Sequence, residues 1–106
     1  MVKRGEVWWV ALDPTMGSEI QKTRPCLVVS PDVMTRGLRT VIIAPMTSRG
    51  RQTSFRQPIA FRDMEGLVLL DQIRAVDQRR LVRRMGTVPE QTLSRVLAML
   101  RWIFAD

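Results

Sequence analysis

The sequence predicts an α+β fold, a small, mostly antiparallel sheet followed by one C-terminal helix. Three observations predict it. Short apolar runs recur between Gly5 and Val88, separated by Gly, Pro, Asp and Ser. After Pro89 the hydrophobic period changes to that of a helix. Strands come first and the helix last, the order of an α+β chain and not of alternating βαβ units. At 106 residues the chain reads as one domain, 1–106, with a single core.

The first predicted strand, Gly5 to Leu12, alternates Val7, Trp9 and Ala11 with Trp8, Val10 and Leu12. Both faces are apolar, which predicts a central strand covered on both sides. The adjacent tryptophans read as core residues before base-stacking ones. Asp13-Pro14 stops the strand, because proline has no N–H for a ladder. The polar loop that follows carries Ser18, Glu19 and Lys22 and runs to Arg24-Pro25, where a second strand, Pro25 to Ser30, begins. Functional side chains concentrate on loops held at both ends in this way. Asp32 to Arg39 reads as a linker with a turn at Thr35-Arg36-Gly37.

A third strand, Thr40 to Met46, is short and β-branched and ends in the basic loop Thr47-Ser48-Arg49-Gly50-Arg51, which continues to Arg56. Pro58 to Phe61 reads as an edge strand and Arg62 to Gly66 as a turn. Leu67 to Val76, LVLLDQIRAV, reads as one fifth strand with Asp71 and Gln72 halfway along it. Polar groups at such positions need partners or line a site. Asp77 is expected to cap a short arginine-rich turn, and Arg83 to Val88 to form the last strand. Thr87-Val88-Pro89-Glu90 fits a capping box for the helix. Leu93, Val96, Leu97, Leu100, Ile103 and Phe104 form its stripe, with Met99 and Trp102 extending it sideways towards a subunit contact or a wider core face.

Composition narrows the function. Apolar residues make up 45% of the chain, which argues against disorder. Lys and Arg number 17 against 10 Asp and Glu, a net charge of +7 that suits a polyanionic partner. There is no histidine, which removes the commonest general base and metal ligand, and the single Cys26 removes zinc–cysteine sites. No phosphate-loop or dinucleotide glycine pattern occurs. These residues call for no metal and no cofactor. No run reaches membrane-spanning length and one cysteine allows no internal disulfide, so the expected setting is the cytoplasm. The remaining chemistry is that of arginine, threonine, serine, glutamate and aspartate at strand ends. If the second and third strands are antiparallel neighbours, Arg24 and Thr47 lie side by side. An arginine and a hydroxyl converging on one phosphate stabilise a pentavalent phosphorane, and RNA supplies its own 2′-OH nucleophile. The plainer alternatives are a salt bridge from Arg24 to Glu19 or Asp71 and a turn hydroxyl at Thr47.

The run RGEVWWVALDPTMGSE, then TRPCLVVS, APMTS, VLLDQIRAVD and GTVP before the terminal helix, closely resembles the MazF/PemK family of toxins from toxin–antitoxin modules. The likeness covers nearly the whole chain in the same order. It implies a twisted, barrel-like sheet, of the SH3-like kind shared with CcdB, and a homodimer. It also implies sequence-selective cleavage of single-stranded RNA, an mRNA interferase activity that inhibits translation and growth, and an acidic cognate antitoxin. The family's catalytic arginine and threonine match Arg24 and Thr47; the resemblance gives the arginine a proton-transfer role, with Glu19 as the alternative base, and has the threonine hydroxyl support the phosphate. Ser18 and Glu19 match loop residues near RNA, and Gln72, more loosely Asp71, match polar pocket residues; these four are expected to supply a base or to position substrate. Lys22, Ser48, Arg49, Arg51 and Arg56 are expected to bind RNA. One branch of the family has an arginine where this chain has Leu69. The alternatives are a CcdB-like gyrase poison, which Trp102 invites, and a non-catalytic RNA-binding barrel.

Overall fold

Seven strands and two α-helices form in the order β1 (Glu6–Ala11), β2 (Thr23–Val28), α1 (Asp32–Gly37), β3 (Thr40–Thr47), β4 (Arg56–Phe61), β5 (Met64–Leu69), β6 (Arg74–Asp77), β7 (Leu81–Thr87) and α2 (Glu90–Ile103). The structure is a computed structural model that describes every residue, Met1–Asp106. The sheet order is β4-β5-β3-β2-β1-β7, with β6 also paired to β3, and every pairing is antiparallel. The α+β class and the C-terminal position of the long helix are as the sequence predicts.

The sheet curls until its edge strands approach one another. Arg62, just past β4, donates to the Met85 carbonyl on β7. A Cβ at Gly86 would lie 3.1 Å from the Phe61 ring, so glycine there admits the ring against β7. Two apolar clusters fill the two faces of the curled sheet. One joins Val7, Leu27, Ala44, Met46, Val68 and Phe61 to Val96 of α2; the other joins Val10, Leu12, Cys26, Val28, Ile43 and Val76. This explains why β1 is apolar on both faces: Val7 faces the first cluster, Val10 and Leu12 the second. Trp8 packs against the second cluster and gives its indole N–H to Glu6 Oε1 at 3.1 Å, so it serves the fold and not base stacking.

β3 is the hub. One edge pairs with β2, and the other is shared: Met46 and Thr47 pair with β5, and Thr40–Ile43 with β6. Between them the chain leaves the sheet as a 3₁₀ turn, Leu70–Gln72. The predicted strand from Leu67 to Val76 is therefore two strands. The interruption lies beside Pro45, which has no N–H to give a neighbouring strand. Asp71 is consequently an exposed turn residue, not a polar group inside an apolar strand.

Three further expectations are corrected. Asp32–Gly37 is a short helix and not a linker. Its supports are remote: Asp32 Oδ1 accepts the Arg4 N–H at 2.8 Å, and Gln78 Nε2 donates to the Thr35 and Leu38 carbonyls. The capping box does not form; Pro89 is the N-cap of α2, and Thr87 Oγ1 accepts from Arg84 instead. On α2, Leu93, Met99, Leu100 and Ile103 pack against the core beside fully buried Val96, whose burial contributes about 1.5–3 kcal/mol. Met99 thus belongs to the core face, whereas Phe104, past the helix end, is 72% exposed and Trp102 60%. The arginine-rich turn forms as expected, with the Asp77 side chain accepting from the Arg79 N–H.

Candidate active site

β2 and β3 are antiparallel neighbours with Cys26 opposite Pro45, Leu27 opposite Ala44 and Val28 opposite Ile43. Continued by two residues, that register puts Arg24 opposite Thr47. Alternation puts both on the face that carries Cys26, Val28 and Ile43, and Arg24 lies opposite Val10 of the same cluster on β1. Arg24 makes no ion pair; its Nε donates to the Gln21 carbonyl at 3.0 Å, so the expected bridge to Glu19 or Asp71 is absent. Thr47 Oγ1 accepts the Arg49 N–H at 3.1 Å, as a turn hydroxyl does, and its own proton is left to donate elsewhere.

Next to these strand ends lies an open hollow of about 430 Å³, lined by Ser18 and Glu19 from the β1–β2 loop, Pro45 from β3, Asp71 and Gln72 from the 3₁₀ turn, and Arg74 from β6. The structure thus gathers Ser18, Glu19, Asp71 and Gln72 in one place. Neither Arg24 nor Thr47 lines the hollow; Thr47 lies two residues past Pro45 on β3, and Arg24 is on β2.

The loop is held by side chains from late in the sequence. Gln72 Oε1 accepts the Ile20 N–H at 2.7 Å. Arg74 donates to the Leu12 carbonyl at 3.1 Å, and Arg80 to the Ala11 and Asp13 carbonyls at 3.0 and 2.6 Å. The Lys22 carbonyl accepts from Leu12 N–H and closes the loop, with Lys22 at φ 72° and its side chain exposed. Arg74 was missed by sequence reasoning, and Arg80, read there as one of the RNA-facing arginines, holds the loop instead. The signal was an arginine at the end of the DQIR run, but its target, a carbonyl 62 residues earlier, is invisible without the fold.

Arg56 grips both Asp71 oxygens, Nε to Oδ1 and NH2 to Oδ2, each at 3.0 Å. Hydrogen bonds from Arg56 hold the Asp71 carboxyl below the usual carboxylate range, against a smaller opposing effect of burial. Asp71 is therefore an ionised, occupied carboxylate and not a free base, and Arg56 is not a free cation for RNA. Glu19 is the other carboxylate of the hollow; its Oε1 accepts the Met16 N–H at 2.6 Å and it has no cationic partner. Ser48, Arg49 and Arg51 are exposed on the loop after Thr47. Of the later arginines, Arg79 pairs with Asp77 and Arg84 with Glu6. Burial pushes the Cys26 thiol up to about 12, with Arg74 acting against it, so Cys26 is an inert core residue. Nowhere do three potential ligand side chains of His, Cys, Asp or Glu converge. No helix is long and apolar enough to cross a membrane.

Comparison with known proteins matches residues 3–104 to the family described as PemK-like, MazF-like toxin of type II toxin–antitoxin system. The chain is 38% identical to Endoribonuclease PemK of Escherichia coli, over 96% of this chain and 81% of that protein. It is 28% identical to Endoribonuclease EndoA of Bacillus subtilis (strain 168), over 91% of this chain and 88% of that protein. Among solved structures it superposes on MazF from Deinococcus radiodurans with a TM-score of 0.86 at 27% identity, over 96% of this chain and 94% of that one.

Proposed function

Because the chain belongs to the PemK-like, MazF-like family of type II toxin–antitoxin toxins, we propose that it is an endoribonuclease toxin that cuts single-stranded RNA with Arg24 and Thr47 as its catalytic pair. The observation that supports this reading is the β2–β3 register, with Cys26 opposite Pro45, which extended by two residues would bring Arg24 and Thr47 abreast.

The reaction needs no external nucleophile. The ribose 2′-oxygen attacks the adjacent phosphorus, the P–O5′ bond breaks, and the products are a 2′,3′-cyclic phosphate and a 5′-OH. One proton leaves the 2′-OH for a carboxylate, and solvent water supplies the proton taken up by the departing 5′-oxygen. Arg24 stays protonated throughout and neutralises charge on the phosphorane while supplying hydrogen bonds to its oxygens. Thr47, whose oxygen already accepts from Arg49, directs its proton at a non-bridging oxygen. Glu19 is the unpaired carboxylate of the hollow and is assigned as acceptor of the 2′-OH proton. Gln72, Arg74 and Arg80 hold the loop that carries Glu19 and Ser18. The absence of histidine and of any gathered ligand set supports a metal-independent reaction.

Two partners complete the reading. The exposed Trp102 and Phe104 at the end of α2 suit a second copy of the chain. The charge of +7 suits an acidic antitoxin segment that competes for the cations meant for phosphate.

Incubation of the purified protein with a long unstructured RNA in excess EDTA tests the proposal. The expected result is discrete cuts whose downstream fragments accept a 5′ label from polynucleotide kinase without prior dephosphorylation. Uncut RNA would overturn the ribonuclease reading, and activity that EDTA abolishes and magnesium restores would overturn metal independence.

A further inference from the structure

Gly66 of β5 runs directly beneath Thr47. A Cβ there would lie 2.1 Å from the Thr47 carbonyl oxygen, 2.9 Å from its carbonyl carbon and 3.1 Å from Ser48 Cα. All three are main-chain atoms where β3 ends, so no change of rotamer relieves the overlap. The φ of Gly66 is not positive, so space and not backbone conformation demands glycine. Any side chain at this position has to lift the Thr47–Ser48 peptide by roughly an ångström to restore ordinary contact.

The same loop has a second hold. Arg56, gripped by both oxygens of Asp71, extends NH1 to the Arg51 carbonyl at 3.3 Å. Arg56 thereby ties the loop after Thr47 to the 3₁₀ turn that lines the hollow. Within the loop, the Arg49 N–H fixes the Thr47 oxygen. The hydroxyl is thus seated from below by a missing side chain and clamped from beside by an ion pair.

We propose that Gly66 and the Arg56–Asp71 pair are positioning residues for Thr47, setting the place of its hydroxyl without touching RNA themselves. This rests on the reading of Thr47 as a transition-state donor. It gives Arg56 a task other than phosphate contact and Asp71 a task other than proton transfer. A misplacement of this size at a reacting group costs on the order of 100-fold in rate.

The test is single-turnover cleavage of one long single-stranded RNA, with RNA affinity measured separately. The proteins are wild type, Thr47→Ala, Gly66→Ala, Asp71→Asn, and each of the last two combined with Thr47→Ala. Gly37→Ala, where a Cβ meets nothing within 4 Å, serves as the control. The expected result is a loss of roughly 100-fold for Gly66→Ala at unchanged RNA affinity. Asp71→Asn loses less rate, and its affinity is unchanged or tighter because Arg56 is released. Neither change lowers the rate further once Thr47 is alanine, since residues that act through one group are not additive. Wild-type rates in both single variants, or a marked extra loss in the double variants, would overturn the inference while a dead Thr47→Ala kept the reading of the site intact. Full activity in Thr47→Ala would overturn that reading and this inference with it. Should Gly66→Ala not fold, Asp71→Asn decides alone: it lies on an exposed turn, and a loss of affinity in place of rate would make the pair a binding element and overturn its positioning role.

Discussion

Gln72 and Ile20 stand 52 residues apart in the chain and are joined by a 2.7 Å hydrogen bond from the Ile20 N–H to Gln72 Oε1. Gln72→Leu removes the acceptor and leaves a part-buried N–H unpaired, at a cost of about 1–3 kcal/mol. The expected outcome is faster hydrogen exchange at Ile20 and a raised KM for RNA, with Gln72→Glu closer to wild type because it keeps the oxygen. Wild-type exchange at Ile20 in Gln72→Leu would show that the loop does not depend on this bond.

Arg24→Ala and Thr47→Ala are each expected to lower cleavage by roughly 100- to 1000-fold with circular dichroism unchanged, the usual cost of losing one preorganised donor. Arg24→Lys also fails, because an ammonium lacks the planar fork. Thr47→Ser keeps the hydroxyl and much of the activity. Near-wild-type cleavage in a folded alanine variant removes that residue from the mechanism.

That Arg24 and Thr47 stand at strand ends was legible in the sequence because both flank apolar runs; their reading as a pair came from the family resemblance. What surrounds them was not. Asp71 and Gln72 look like interior strand positions until the chain is seen to leave β3 beside Pro45. Once it does, Asp71 meets Arg56, 15 residues away, and Gln72 meets the loop. Helix α1 was equally hidden, since its hydrogen-bonding partners Arg4 and Gln78 lie 28 and more residues off. Periodicity reports burial along one segment, and these features depend on which distant segment arrives.

Acid is expected to loosen the join between β1 and β7. Burial raises the Glu6 carboxyl, but hydrogen bonds from the Lys3 N–H, Trp8 and Arg84 outweigh it and hold the group below its usual 4.5. Hydrogen bonds from Arg79 likewise hold Asp77 down at about 2. A carboxyl depressed in the folded state stabilises the fold above its unfolded value and loses that contribution as pH falls through the folded one. The thermal midpoint should therefore fall as pH drops from about 4.5 towards 2. Glu6→Gln should flatten part of this slope; an unchanged pH profile in that variant would exclude Glu6 as a contributor.

RNA affinity should fall with salt, but through fewer arginines than composition suggests. Arg56, Arg79 and Arg84 are committed to carboxylates, whereas Arg49 and Arg51 have no side-chain partner. Arg49→Ala and Arg51→Ala should each reduce the slope of log K against log salt by about 0.7, one single-strand phosphate contact. Arg79→Ala should leave it alone. Equal effects from all three would mean a diffuse field and not defined contacts.

A homodimer built on the end of α2 predicts that light scattering with size exclusion finds twice the chain mass at micromolar concentration. Trp102→Ala together with Phe104→Ala should shift the protein towards monomer. A wild-type monomer under these conditions ends the idea.

The supports of the β1–β2 loop also bear on the timing of synthesis. Arg24 and Thr47 belong to the first half of the chain, but the loop beside them is fastened by Gln72, Arg74 and Arg80. β1 gains its second neighbour only when β7 is made. A growing polypeptide therefore carries Arg24 and Thr47 before the residues that fasten the neighbouring loop have been made. On the proposed reading of Arg24 and Thr47, a nascent chain would hold the two residues of the site before it holds the surface around them.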